Sequence, residues 1–288
     1  MPTRAMEWGI RHCPLYLEPV FIFVYTLVFF VLTAKARQSV CENLRNILPS
    51  ASKPATLARA FRVFWNFAWT CADAARVRME GDIIDWEIVG IENFDQLSGS
   101  DGGAVLLTAH MGNYDVAAPV FARRFKSRIH AVRAPERNPE LQAHLARARE
   151  RLSSEHFQVQ YNTGENFLGV DLVNAITAGE IVALQGDRML PGLAPVTSEL
   201  FGSLVRLPKG PFALALATKA PIYPVFIIRL GRRRYQVRID QPFDCRRDPQ
   251  GSSHAIQVAS GKWAASLSAV IRRHWHQWYV FESVFPES

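Results

Sequence analysis

At 288 residues, 49% of them hydrophobic, the chain is long enough to bury one sizeable core, and no linker-like stretch divides it into two. Its formal charge of +7, from 33 Lys and Arg against 26 Asp and Glu, suits anionic lipid headgroups, a phosphorylated glycolipid, an acidic carrier protein or nucleic acid. Nucleic acid is discounted because no RNA-binding aromatic motif, zinc-finger spacing or basic zipper accompanies the charge. Cys13, Cys41, Cys71 and Cys245 form no C-x2-C pair, which argues against a zinc knuckle and a disulfide framework.

Near the N-terminus, Val20–Ala34 carries no charge, and Pro19 stands where a first helical turn tolerates it. At ~1.5 Å per residue the stretch is ~22 Å long against a hydrocarbon thickness of ~30 Å, short for a full span unless Pro14 to Leu17 extend it. A signal peptide would be followed by a small-residue cleavage site, but Lys35 and Arg37 come instead. The stretch reads as a membrane-embedded or peripheral anchor, with a buried core helix as the competing reading. Arg4 and Arg11 on one side and Lys35, Arg37 and Arg45 on the other give little orientation. Residues 1–50 are therefore expected to form a helical hairpin on the membrane, and residues 51–288 an α/β domain.

Ser52 to Arg78 predict a helix whose Phe61, Phe64, Trp65, Phe67 and Trp69 give a wide aromatic face, read as core packing ahead of an acyl-chain gate. Asp85 to Ile91 predict a first strand and Ser98 to Gly103 a turn. Val105 to Leu107 then predict a buried strand that stops short of His110. Asn113 predicts the N-cap of a helix running to Phe125, with Asp115 in its first turn. That geometry would bring the Asp115 carboxylate to one imidazole nitrogen, leaving the other to take a proton from a hydroxyl. A strand-end histidine bonded to a helix-capping aspartate has the same spacing, and the residues alone leave both readings open.

Ile129 to Val132 predict a second buried strand ending at Arg133, whose rigid fork of donors suits a phosphate or carboxylate; a structural salt bridge is the equal competitor. Asn138 and Pro139 open a charged helix to Ser153. Ile181 to Leu184 predict another strand, running into Gln185-Gly-Asp-Arg188. In a parallel sheet Asp187 and Arg188 reach the same carboxyl edge as His110 and Arg133, where open α/β sheets bind ligands. Pro191, Gly192 and Pro195 mark a loop, and Pro208 to Lys219 a helix. Pro224 to Ile228 and Tyr235 to Ile239 predict a hairpin at the edge of the sheet, and Ser253 to His274 a last long helix. His274 and His276, with no carboxylate or cysteine neighbours, are read as incidental, and no metal site is expected. No G-x-S-x-G elbow, phosphate loop, G-x-G-x-x-G fingerprint or H-E-x-x-H is present, which removes the main sequence support for a serine hydrolase, a nucleotide-driven enzyme, a dinucleotide oxidoreductase or a zincin.

His110 and Asp115, spaced H-x4-D, resemble the first motif of the glycerolipid acyltransferase superfamily. The wording Thr-Ala-His-Met-Gly-Asn-Tyr-Asp looks most like its lipid A late-acyltransferase branch, the lauroyl and myristoyl transferases. Further blocks are similar in order: Ala131-Val-Arg-Ala-Pro-Glu-Arg-Asn-Pro139, Gln185-Gly-Asp-Arg188, Ala220-Pro-Ile-Tyr-Pro-Val-Phe226, and Trp278 in a closing Q-W pair. The resemblance covers roughly residues 1 to 280, and departs where Asp115 stands in place of the glutamate that some members carry.

The expected architecture is α/β: a mostly parallel central sheet flanked by helices, with an N-terminal membrane-associated helical segment. The resemblance implies acyl transfer from an acyl carrier protein, with acyl-CoA as the alternative donor, to a hydroxyl of a membrane glycolipid such as a lipid A precursor. His110 and Asp115 would be catalytic, and Asn113, Arg133, Asp187 and Arg188 would bind substrate. No metal or organic cofactor is expected, and the place of action is the cytoplasmic face of the inner membrane. Two rival readings remain: a non-catalytic lipid-binding or scaffold protein, and an acyltransferase for another acceptor such as a lysophospholipid or a glycosylated phosphoinositide.

Overall fold

The structure is a computed structural model that describes residues 2–122, 124–135, 156–163 and 168–285, with scattered positions between 138 and 147. The helix expected over Asn138 to Ser153 lies largely outside the described residues.

Four helices come first: α1 (Pro2–His12), α2 (Glu18–Leu32), α3 (Ala34–Ile47) and α4 (Lys53–Glu80). The long α4 starts where the Ser52 hydroxyl accepts from the Ala55 N–H, with proline in the first turn, and stops at Gly81, whose φ of +88° a side-chain-bearing residue adopts only with strain. Its aromatic face is core: Phe64 and Trp69 are buried, and Phe30 of α2 meets Phe61 and Phe64 edge-on. The turn at Pro14 to Leu17 does not extend α2, which therefore covers the apolar stretch with a single 15-residue helix. Among the described residues no single helix is long and apolar enough to cross a membrane; α2 and α3 pass that test only as a pair, bent by 93°.

The rest of the chain builds an α/β sandwich. In order come β1 (Asp85–Val89), α5 (Ile91–Gly99), β2 (Ala104–Thr108), α6 (Tyr114–Ala122), β3 (Ile129–Arg133), β4 (Phe157–Tyr161), α7 (Leu168–Thr177) and β5 (Ile181–Gln185). They are followed by β6 (Pro195–Leu200), β7 (Ser203–Pro208), α8 (Gly210–Thr218), β8 (Ile222–Gly231), β9 (Arg234–Ile239) and α9 (Ser252–His274). Seven strands form one sheet in the order β1-β9-β8-β2-β5-β3-β4, parallel at every pairing except β8 with β9. The predicted hairpin is thus real but not at the edge, because β1 pairs along the outer side of β9. The Pro191–Pro195 loop runs straight into a second hairpin, β6–β7, that the sequence reading missed; Pro195 and alternating polar residues hid a strand buried on one face only.

Alternation along β2 shows how the sheet divides the core. Val105 and Leu107 pack with α3, α4, α8 and α9, whereas Ala104 and Leu106 pack with α5 and α6. Such doubly covered strands read as continuous apolar runs, which is why β2 and β5 were legible.

Candidate active site

In the register of the sheet, Thr108 at the end of β2 lies beside Gln185 at the end of β5. Residues two beyond each strand end are therefore neighbours: His110 and Asp187. The Asp187 carboxylate accepts from the His110 ring at Nδ1, 2.7 Å away, and from the His110 backbone N–H at 2.9 Å. The Trp278 indole N–H donates to the same carboxylate at 2.9 Å, and Asp187 has no solvent exposure. Burial alone would push this carboxyl up. The adjoining imidazole and the three N–H donors outweigh it and hold Asp187 below the usual carboxylate range.

The other ring nitrogen, Nε2, accepts from Arg188 Nε–H at 3.2 Å. A guanidinium only donates, so Nε2 must carry a lone pair and the ring proton sits on Nδ1, facing Asp187. In that tautomer Nε2 is the nitrogen a general base would use.

Asp115 is not on the ring. Its carboxylate pairs with Arg133, at the end of β3, so the sequence expectation that it orients His110 is corrected: Asp187 has that place. The physical reason lies in the turn after His110. Gly112 has φ +52°, and a Cβ there would stand 2.3 Å from the Ile227 carbonyl oxygen, so only glycine lets the chain bend this way into α6. Asp187 and Asn113, expected among the substrate-binding groups, are both buried. The Asn113 carbonyl accepts from the Val116 and Ala117 N–H groups of α6, and its side-chain amide points to the Thr70 carbonyl of α4, 3.5 Å away. Arg188 touches the ring on the side opposite Asp187, and its Nη1 also meets Glu282 at 3.2 Å.

A C-terminal strap, residues 278–282, closes the back of the site. Met111 and Trp278 form a β-bridge, the Tyr279 N–H donates to the His110 carbonyl, and buried Asn43 of α3 holds the strap through the carbonyls of Val280 and Glu282. Trp278 was noticed in the sequence, but only as a motif letter.

Beneath α6 lies an apolar cavity of about 100 Å³, whose lining takes in Tyr114 but not His110 itself. One end is lined by Thr108, Tyr114, Arg133 and Gln185 at the carboxyl edge of the sheet; the other reaches Phe125, Ile129 and Phe157 at the opposite edge. Tyr114 presents its ring edge-on to His110, with centroids 5.6 Å apart. The buried Gln185 amide lies there against Tyr114, a donor the sequence reading did not single out. Among the described residues no group of three or more His, Cys, Asp or Glu is placed to hold a metal ion.

A family model for the bacterial lipid A biosynthesis acyltransferases matches residues 8–285. The chain belongs to that family. Comparison with curated proteins found no match. Membership of the lipid A acyltransferase family makes the chain an enzyme that acylates a lipid acceptor, in a family of membrane-associated proteins. Its matched region takes in α2, α3, the whole sheet and the C-terminal strap.

Proposed function

We propose that this lipid A acyltransferase moves a fatty acyl chain from an acyl thioester, carried on acyl carrier protein, to a hydroxyl of a membrane glycolipid of the lipid A precursor class, with His110 as general base. The observation that carries this reading is the His110 ring, held at Nδ1 by buried Asp187 and set against Tyr114, which lines an apolar cavity.

Chemistry follows from the tautomer with the ring proton on Nδ1. The acceptor hydroxyl gives its proton to Nε2 as its oxygen attacks the thioester carbon. Asp187 steadies the imidazolium that forms, and positioned base catalysis of this kind contributes ~10² to 10⁴ in rate. When the tetrahedral intermediate collapses, the C–S bond breaks and the imidazolium proton leaves with the thiol. The developing oxyanion needs donors, and the buried Gln185 amide in the cavity lining supports a role for it there. No step calls on a metal or an organic cofactor.

The cavity supports a place for the acyl chain. Sites of ~150 Å³ admit a benzene ring, so about 100 Å³ takes one end of a hydrocarbon chain and the rest requires α6 to yield. The membrane reading is supported by α2, whose Val24, Val28 and Val31 are each half exposed or more. Its other face, Ile22, Thr26 and Phe30, is buried against α4. Residues 1–50 then act as the anchor and residues 51–288 as the catalytic domain, at the cytoplasmic face of the inner membrane.

Two experiments test the function. Mass spectrometry of total lipids from cells with and without the gene identifies the acceptor and the chain added. Purified protein given acyl carrier protein or CoA thioesters identifies the donor. A lipid profile that does not change, together with no transfer from either thioester, would reject the reading.

A further inference from the structure

The lone pair that His110 needs for catalysis is already occupied. Nε2 accepts from Arg188 Nε–H, and an acceptor hydroxyl can reach that lone pair only after the guanidinium moves away. Both partners of Arg188 are replaceable. One is the uncharged imidazole; the other, Glu282, is 63% exposed and sits on the C-terminal strap. Arg188 is itself 27% exposed, so it faces the open side of the site, in contrast to Asp187 behind the ring. Arg133, another guanidinium at this edge of the sheet, is paired with Asp115.

Resting on the general-base reading above, we propose that Arg188 is a cap on the catalytic base, released when an anionic group arriving with the acceptor takes its guanidinium. A phosphate offers that fork two charge-assisted bonds, about twice as strong as bonds between neutral groups, in exchange for a neutral nitrogen and a solvated carboxylate. The exchange is downhill for an anionic acceptor. It does not occur for water, which brings no charge to draw the arginine away. Arg188 thereby acts as a specificity residue in two senses: it favours acceptors with a negative group near the reacting hydroxyl, and it protects the thioester from hydrolysis while no acceptor is bound. In hydrolysis, water would take the place of the hydroxyl, its proton passing to Nε2, its oxygen bonding to the acyl carbon and the thiol leaving.

The test separates hydrolysis from transfer. Full-length wild type and R188A are given an acyl thioester alone, then with a lipid A precursor bearing its phosphates, then with the same lipid after phosphatase treatment. In R188A, acceptor-free hydrolysis should rise about tenfold, the effect of releasing one hydrogen bond to a charged group. The wild-type preference for the phosphorylated acceptor should shrink toward unity. R188K keeps a cation but lacks the Nε–H that reaches the ring, so it should hydrolyse faster and keep the preference; thermal unfolding and this variant guard against a folding defect in R188A. Adding inorganic phosphate to the dephosphorylated lipid distinguishes a free anion from one carried on the acceptor. Hydrolysis that is unchanged or lower in both variants, or a wild type indifferent to acceptor phosphates, overturns the proposal. Transfer that survives in H110A would instead overturn the general-base reading beneath it.

Discussion

Asp187 grips His110 at two points, the ring Nδ1 and the backbone N–H, with the Trp278 indole on the same carboxylate. This buried side chain holds both the ring and the backbone of His110. Replacing Trp278 by Phe removes one of its donors while leaving the other two. A buried acceptor that loses a partner costs ~1 to 3 kcal/mol, so W278F should melt at lower temperature and transfer more slowly. Thermal melts and initial rates check this; an unchanged melting temperature would show that the indole bond carries no weight.

Asp115 stands apart from that grip, on Arg133. D115N should leave the pH profile of transfer unaltered and reduce the rate by roughly tenfold, the scale of one weakened charge-assisted bond. A pH–rate series on the variant is the measurement. A displaced profile would mean that Asp115 acts on the base after all.

Ala118 lines the cavity under α6. A leucine there fills space that a chain would use, at an overpacking cost of ~1 to 3 kcal/mol. A118L, offered a mixture of thioesters, should shift its products to shorter chains, read by mass spectrometry of the acylated lipid. The same product distribution as wild type would place the chain elsewhere.

The exposed apolar face of α2 predicts how the protein holds a membrane. Changing Val24, Val28 and Val31 together to serine removes ~1.5 to 3 kcal/mol of burial per side chain, so the variant should stay in the supernatant when vesicles are sedimented. Sedimentation that persists at low salt and is lost at high salt would assign the attachment to the basic surface instead.

His276 carries the pH dependence of folding that is easiest to read. Burial first, then Arg62, His274 and Arg229, bring it down to about 4. The unfolded chain therefore takes up a proton near pH 6.5 that the folded one refuses, and stability should fall as pH drops from there to about 4. H276Q should flatten this part of the melting curve against pH; an equal slope in wild type and variant would point to other groups.

The sequence made much of this fold visible for a simple reason: β2, β5 and β8 are doubly covered strands whose apolar runs need no tertiary context. The site was half visible. His110, Asp187, Arg133 and Arg188 were all expected at one edge, yet their pairing was misread because Asp115 is five residues from the histidine and Asp187 is 77. Local spacing cannot report register. What brings Asp187 to the ring is β5 lying directly beside β2 with Thr108 opposite Gln185, and what takes Asp115 away is the bend at Gly112. The roles of the strap and of Gln185 were hidden for the same reason, since each depends on what the fold packs beside it.

The His110–Asp187 pair as the working base is tested most directly by single-turnover acyl transfer in D187N beside D115N and H110A. An asparagine at 187 that turns its amide to Nδ1 donates where the carboxylate accepted, driving the ring proton to Nε2 and removing the lone pair the hydroxyl needs. D187N should therefore lose ~10² to 10⁴ in rate, as H110A does, while D115N loses only about tenfold. Near wild-type turnover in D187N, with D115N inactive, would contradict the pairing and return the aspartate's role to the one the spacing first suggested.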